Sequence, residues 1–264
     1  MVMKNFYNLL VLSLLLLLSQ NQALPQGDDV VGTRYEKKEY DIPMGDGVNL
    51  HTVVYSPKDV SKKYPMLMQR TPYSAGPYGP GNMKSSLGPS RFLMDDGYIF
   101  VYQDVRGRWM SEGKYDNMRP TLSKDERNDD KIDESTDTFD TIEWLLANIE
   151  NHNSKVGIWG ISYPGFYSAA ALPYAHPNLK AVSPQAPIAD FYFDDFHHNG
   201  AYLLSYWRAT ALFGYDKTGP TTEAWYELPG LGTQDQYQFF LDVGPLSNLD
   251  EYYGEDNIFW QQLK

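Results

Sequence analysis

The chain has 264 residues, of which 42% are hydrophobic and 15% aromatic, enough for one large globular domain or a domain with an insertion. Its 22 basic and 34 acidic residues give a formal net charge of −12, which argues against nucleic acid as a partner. The absence of cysteine excludes disulfides, a thiol nucleophile and cysteine-based metal sites.

The N-terminus has the pattern of a secretory signal peptide. Lys4 precedes an almost wholly apolar run from Leu9 to Leu18, and a polar stretch follows. The run is shorter than the roughly 20 residues that span a bilayer, although an uncleaved anchor remains the alternative. We therefore predict a signal peptide over residues 1–23, a flexible leader over residues 24–34, a secreted or periplasmic protein, and no membrane association after cleavage.

Four segments before residue 104 have strand character. The first two are joined by a turn that contains Asp46-Gly47, which is typical of a hairpin. The last is continuously apolar, as in a strand that is buried on both faces. A loop rich in glycine and proline, from Ser74 to Pro89, and a short helix over Arg91 to Asp96 separate the third from the fourth. The predicted strands are Tyr35 to Ile42, Val48 to Tyr55, Tyr64 to Gln69 and Tyr98 to Gln103.

A helix is predicted from Asp137 onwards, because apolar residues recur at helical spacing from Phe139 to Ile149. Asp137 is a plausible N-cap for this helix. A strand over Val156 to Ile161, a second helix and a short strand over Ala181 to Pro184 follow. This alternation predicts an α/β fold with a parallel sheet and right-handed crossovers.

The junction of the Val156 to Ile161 strand with the next helix reads Gly-Ile-Ser-Tyr-Pro-Gly, from Gly160 to Gly165. This pattern is typical of a nucleophile elbow, in which a tight, strained turn exposes a serine hydroxyl at the end of a sheet. The second glycine is one place later than usual, and Pro164 takes its position in the first helical turn, where a missing N–H costs little. A purely structural turn serine is the alternative.

Beyond residue 190 the sequence is aromatic and acidic and has few strand signals, which favours a helical cap over the sheet. The adjacent Asp194 and Asp195 either bind a cationic group beside aromatic faces or belong to a solvated loop. Asp104 and Arg106, after the apolar strand, are expected to form a structural network that braces their loop. No metal-ligand spacing is present, so we predict neither a metal nor another cofactor.

Several separated blocks together resemble one family of serine hydrolases, which includes X-prolyl dipeptidyl peptidases, cocaine esterase and, most similar, the α-amino acid ester hydrolases. The resemblance covers about residues 35 to 264. The blocks that carry it are Arg70-Thr71-Pro72-Tyr73, Gln103-Asp104-Val105-Arg106-Gly107, Ser111-Glu112-Gly113, the Asp137 to Leu146 helix, the elbow at Ser162, His176-Pro177 and Asp194-Asp195.

The resemblance implies an α/β-hydrolase domain with a helical cap and a C-terminal jelly roll. It assigns Ser162 as nucleophile, the N–H of Tyr163 and the hydroxyl of Tyr73 as the oxyanion hole, and Asp195 rather than Asp194 to a substrate's α-ammonium group. Residues 35–189 would form the N-terminal part of the α/β-hydrolase domain, and residues 190–264 would form the helical cap segment. The family's catalytic acid and histidine would lie beyond residue 264, so His176, His197 and His198 are not expected to act as the base.

We therefore predict a secreted serine hydrolase that cleaves esters or amides through an acyl-enzyme. Its substrates would be small molecules or short peptides with a free α-amino group. An X-Pro dipeptidyl peptidase is the alternative among enzymes. A truncated or degenerate module without catalytic activity is the alternative of another class. A homo-oligomer is compatible with the sequence.

Overall fold

A computed structural model describes residues 30–123, 125–126, 131–190, 192–204, 217–218, 235–249 and 251. Its seven strands before residue 190 are β1 Tyr35–Pro43, β2 Asn49–Pro57, β3 Tyr64–Thr71, β4 Ile99–Asp104, β5 Arg108–Trp109, β6 His152–Ile161 and β7 Leu179–Gln185. The α-helices are α1 Val30–Arg34, α2 Arg91–Asp96, α3 Glu134–Asn148, α4 Tyr163–Ala170 and α5 Gln236–Val243.

Six of these strands form one sheet in the order β1-β2-β4-β3-β6-β7. The four strands β4, β3, β6 and β7 are parallel to one another, as predicted. In contrast, β1 and β2 form an antiparallel hairpin, and β2 is also antiparallel to β4. The carboxyl ends of β3, β4, β6 and β7 therefore meet at one edge of the sheet. In open α/β sheets this edge is where ligands bind.

The centre of the sheet is buried on both faces, as the apolar run in β4 predicted, whereas β7 at one edge is mostly exposed. All six residues of β4 are buried. One core cluster packs α3, through Ile142 and Leu145, onto Met68 and Ile158 of the sheet. A second cluster covers the opposite face, where Met94 of α2 packs with residues of β1, β2 and β4. This two-sided burial fixes the parallel strands and hence the positions of the loops at their carboxyl ends.

The N-cap of α3 is Asp133, so the prediction of Asp137 as the cap is wrong. The Asp133 carboxylate accepts the N–H of Thr136 at 2.8 Å, and the Thr136 hydroxyl accepts the N–H of Asp133 at 2.9 Å. This reciprocal capping box starts the helix one turn earlier than its apolar pattern suggests. Asp137 is instead buried inside the helix and paired with arginines.

Beyond residue 190, several of the described elements pack over helix α4. They are a π-helical turn Tyr192–Phe196, the two-residue strands β8 His197–His198, β9 Ala201–Tyr202 and β10 Lys217–Thr218, helix α5 and a 3-10 turn Leu246–Leu249. Phe196, Phe239 and Leu249 join Tyr163 and Tyr167 of α4 in a third buried cluster. The sequence predicted a helical cap here, and the short strands were not part of that prediction. Residues 205–216 of this segment lie outside the described residues.

The predicted signal peptide also lies outside the described residues. Residues 30–34 of the predicted flexible leader form helix α1 and bury Val31, so a flexible leader is wrong for these residues. None of the helices in the described ranges is long and apolar enough to cross a membrane.

Candidate active site

Ser162 lies in the turn between β6 and α4, with φ 61° and ψ −123°. A positive φ is strained for a residue with a side chain and is tolerated where the surroundings impose it. The turn is half-exposed at the carboxyl edge of the sheet. Its N–H donates to the carbonyl of Gln185 in β7 at 3.0 Å, which anchors the turn to the neighbouring strand. This is the geometry of a nucleophile elbow.

The two glycines of the elbow are required by close backbone approaches. A Cβ at Gly160 would lie 2.1 Å from the carbonyl oxygen of Pro164, and a Cβ at Gly165 would lie 2.5 Å from that of Gln185. Both contacts are with backbone atoms, which cannot move aside as a flexible side chain can. The second glycine is at position 165, one place late, because α4 crosses β7 at this residue. Pro164 is the second helical residue, as predicted.

Tyr163 begins α4, and its ring is completely buried. Its hydroxyl accepts hydrogen bonds from the hydroxyl of Tyr115 at 2.8 Å and the N–H of Met118 at 2.9 Å, and it donates to Asn117. The ring also stacks on Tyr167 at 5.2 Å. This anchoring fixes the backbone at the first helical residue, where N–H groups point out of the helix towards its N-terminus.

Tyr73 follows β3, and its ring lies edge-on to that of Tyr163 at 6.4 Å between centres, with its hydroxyl close enough to the Ser162 side chain to interact with it. The structure therefore brings together Ser162, Tyr73 and the N-terminus of α4. Burial raises the pKa of Tyr73 to about 12, even though the interaction with Ser162 lowers this pKa. The phenol consequently keeps its proton at neutral pH and can donate a hydrogen bond to an oxygen that gains negative charge.

Asp195 lies near Tyr73, since its negative charge contributes to the raised pKa of this tyrosine. The carboxyl is half-buried, and burial followed by the charge of Asp194 raises its own pKa. Asp194 has a different environment, because its carboxylate accepts the backbone N–H groups of Ala189 at 2.7 Å and Asp190 at 3.0 Å. Asp194 thus holds the chain, whereas Asp195 is close enough to Tyr73 for its charge to raise the pKa of this tyrosine.

Asp104 and Arg106 do not pair with each other, so that part of the predicted network is wrong. Arg106 forms ion pairs with Asp137 at 2.6 Å and Asp46 at 2.7 Å. Asp104 instead accepts hydrogen bonds from neutral donors, and burial raises its pKa to about 6.

The environment of Arg70 was not predicted from the sequence. Its fully buried guanidinium pairs with Glu134 at 3.0 Å and Asp137 at 3.4 Å, and its Nε donates to Gln103 at 2.8 Å. Arg70 also lies 5.7 Å from the centre of the Tyr167 ring. This network joins β3, β4, α3 and α4 beneath the elbow, and its role is structural.

None of the hydrogen bonds of Ser162 in the described part of the chain involves histidine. His176 binds Glu143 at 2.6 Å, and His197 stacks on Tyr192 at a ring distance of 4.0 Å. His198 is exposed in β8. The described residues include no cluster of histidine and acidic side chains able to hold a metal ion.

The sheet order, the parallel strands and the elbow define an α/β-hydrolase fold. The sequence model of one protein family, X-Pro dipeptidyl-peptidase (S15 family), matches residues 46–252 of this chain. The chain therefore belongs to this family. Its coverage of the chain includes β2 to β7, the elbow and most of the segment beyond residue 190.

Relatives of known name are similar to this chain over part of their own length. Cocaine esterase from Rhodococcus sp. (strain MB1 Bresler) is 30% identical over 174 residues, which are 66% of this chain and 27% of the esterase. A solved α-amino acid ester hydrolase is 32% identical with a TM-score of 0.69 over 90% of this chain and 40% of its own. An aminopeptidase from the marine sediment archaeon Thaumarchaeota archaeon is 32% identical with a TM-score of 0.68 over 92% of this chain and 39% of its own.

Proposed function

We propose that this chain carries the nucleophile and the oxyanion hole of a secreted serine hydrolase that acts on α-amino-acyl esters or amides. The single observation that carries the proposal is the strained Ser162 at the N-terminus of α4 with the Tyr73 hydroxyl close to its side chain. The chain spans 40% or less of the relatives described above, so the activity of a complete enzyme is part of the proposal.

In the proposed reaction, Ser162 attacks the carbonyl carbon of the substrate and gives its proton to a base. The carbonyl oxygen becomes an oxyanion, which accepts hydrogen bonds from the N–H of Tyr163 and the hydroxyl of Tyr73. The leaving group departs, and water then releases the acyl group from Ser162. We propose that the base is a histidine outside the described residues, because His176 and His197 have other partners.

Asp195 is proposed to bind the α-ammonium group of the substrate. A desolvated ammonium needs a carboxylate partner, or its burial is strongly unfavourable. Among the described residues, no hydrogen-bond donor occupies the Asp195 carboxylate, whereas two backbone donors occupy Asp194. The proximity of Asp195 to Tyr73 supports a position for the ammonium group close to the reacting carbonyl.

Replacement of the nucleophile tests the reaction. The full gene product that contains this chain should hydrolyse p-nitrophenyl esters, and Ser162→Ala should reduce kcat by at least about 1,000-fold. Ser168→Ala is the matched control, because this buried serine of the same helix bonds only the carbonyl of Pro164 at 2.8 Å in the described structure. Equal rates for the wild type and Ser162→Ala would refute the assignment.

The substrate class is tested with phenylglycine methyl ester and phenylacetate methyl ester, which differ in the amino group. Asp195→Asn should lower kcat/KM for the amino ester by about 10- to 100-fold, the scale of a charge-assisted hydrogen bond. The other ester should change little. Asp194→Asn serves as the comparison, since a backbone-holding carboxylate should affect both esters equally. Equal losses with Asp195→Asn would assign it a structural role.

The family match favours an X-Pro dipeptidyl peptidase as the second candidate. Such substrates also present a free amino group, so Asp195 would serve in both cases. Gly-Pro-p-nitroanilide distinguishes the two, because a dipeptidyl peptidase cleaves it faster than phenylglycine methyl ester. A module without activity would cleave neither, and its Ser162→Ala variant would behave like the wild type.

A further inference from the structure

A buried carboxylate holds the loop that carries Tyr73. Asp104, the last residue of β4, is fully buried, and its Oδ1 accepts the N–H of Ala75 at 2.6 Å. Its Oδ2 accepts the hydroxyl of Tyr78 at 2.8 Å and the N–H of Met110 at 3.3 Å. Among the described residues, no lysine, arginine or histidine lies within ion-pair distance of this carboxylate. Neutral donors from two loops therefore hold its charge.

The backbone immediately after Tyr73 is strained. Ser74 has φ 106°, a region that favours glycine. The Ser74 hydroxyl contacts the hydroxyl of Tyr78 at 2.8 Å, and the same Tyr78 hydroxyl donates to Asp104. A strained residue persists only where its surroundings over-determine it. The bonds from Ala75 and Tyr78 to Asp104 supply that constraint on the far side of Ser74.

The register of the sheet places Asp104 beside the point where Tyr73 leaves β3. Thr71, the last residue of β3, pairs with Asp104 across the parallel ladder. The Thr71 hydroxyl accepts the N–H of Tyr73 at 3.0 Å. Tyr73 is therefore fixed before the strained residue by Thr71 and after it by Asp104, and a shift of either anchor moves the phenol relative to Ser162.

We propose that Asp104 is a positioning residue that places the Tyr73 hydroxyl for the oxyanion. The inference rests on the proposed function, since it gives Tyr73 that task. Asp104 touches neither substrate nor Ser162 and acts only through the loop. An asparagine at this position keeps one acceptor oxygen for the N–H of Ala75, but its amide nitrogen can accept neither the hydroxyl of Tyr78 nor the N–H of Met110.

A double-mutant cycle tests the proposal. Tyr73→Phe should lower kcat by about 100-fold, as expected for loss of one oxyanion donor, with KM unchanged. Asp104→Asn should lower kcat by about 10- to 100-fold in the wild-type background and by less than about 3-fold in the Tyr73→Phe background. Equal losses in the two backgrounds would show that Asp104 does not act through Tyr73, and would overturn the proposal.

Two further variants protect the test against simple loss of fold. Tyr78→Phe removes one arm of the Asp104 contacts without changing charge, and it should lower kcat in the same Tyr73-dependent way. Asp140→Asn is the matched control, because this partly buried carboxylate also holds a turn, through the N–H of Gly45 at 2.8 Å, at the β1–β2 hairpin. It should leave kcat within about 2-fold of the wild type.

Hydrogen exchange separates failure of this inference from failure of the proposed function. Asp104→Ala, which removes both acceptor oxygens, should speed exchange of the Ala75 amide at least about 10-fold, and Asp140→Ala should not. Activity that does not depend on Ser162 would refute the function alone, and the exchange result would still decide whether Asp104 holds the loop. Unchanged exchange at Ala75 would overturn the proposal even in an active enzyme.

Discussion

Ser162 and Tyr73 meet at one edge of the sheet, and each follows a parallel strand, but the turns that carry them are fixed by different forces. The elbow turn is fixed by contact between backbones, with room only for hydrogen at Gly160 and Gly165. The Tyr73 turn is fixed by hydrogen bonds to a buried carboxylate, Asp104. Steric exclusion does not depend on pH, and one added methyl group disrupts it at once. Hydrogen bonds to a titratable carboxylate can be removed one at a time, and their strength changes with pH.

The largest expected effect is on the elbow. Gly160→Ala should lower the free energy of unfolding by more than about 4 kcal/mol, because the new Cβ would overlap the backbone of Pro164. Gly157→Ala is the matched control in the same strand, since its Cβ would meet Leu67 at 3.4 Å, an ordinary contact. Urea unfolding measures both. A small loss with Gly160→Ala would show that the elbow backbone adapts, and would remove the contrast with the Tyr73 turn.

The second effect is a pH dependence on the Tyr73 side. Burial raises the pKa of Asp104 from 3.8 to about 6, even though it faces the Tyr78 hydroxyl and lies near His51 and Lys84. Between these values the folded state keeps a proton that the unfolded state has lost. The free energy of unfolding should therefore fall by about 2 kcal/mol as the pH rises from 4 to 6, relative to Asp104→Asn.

Urea unfolding of the wild type and Asp104→Asn across this pH range provides the measurement, since other carboxyls contribute equally to both. Asp59→Asn is a control of opposite sign, because hydrogen bonds with Ser61 lower the pKa of this exposed carboxyl. Its stabilisation is present at higher pH and is lost as the pH falls. A pH-independent difference between the wild type and Asp104→Asn would show that Asp104 does not titrate in this range.

The same contrast separates what the sequence predicted from what it did not. The elbow was predictable because its requirements are local, with two glycines and a proline within six residues of chain. The apolar run of β4 likewise predicted a strand buried on both faces, and the structure confirms it. The late glycine had no explanation until α4 was seen to cross β7 at Gly165.

The hydrogen-bond partners were not predictable, because they are distant in sequence. Asp104 bonds Ala75 across 29 positions, and Arg106 bonds Asp46 across 60. Their position after the apolar strand predicted a network that braces the loop, yet only the folded sheet determines which partners each one meets. The same holds for Asp194 and Asp195, whose adjacent positions gave no sign that one is occupied by backbone N–H groups.

The smallest expected effect concerns a third anchor of the Tyr73 turn. The carbonyl of Pro72 accepts the indole N–H of Trp109 at 2.8 Å and the Nε–H of Arg108 at 3.2 Å. Because two donors share one carbonyl, Trp109→Phe leaves the oxygen bonded and should cost about 1 kcal/mol of stability. The drop in kcat should stay below about 10-fold, well short of the drop expected for Tyr73→Phe.

Trp144→Phe is the control, since this indole packs on Tyr40 at the far side of the sheet. A loss of kcat with Trp109→Phe as large as that with Tyr73→Phe would mean that the bonds to the Pro72 carbonyl, and not those to Asp104, are the main anchor of the Tyr73 turn. The strained backbone at Ser74 would then be held mainly by the indole of Trp109.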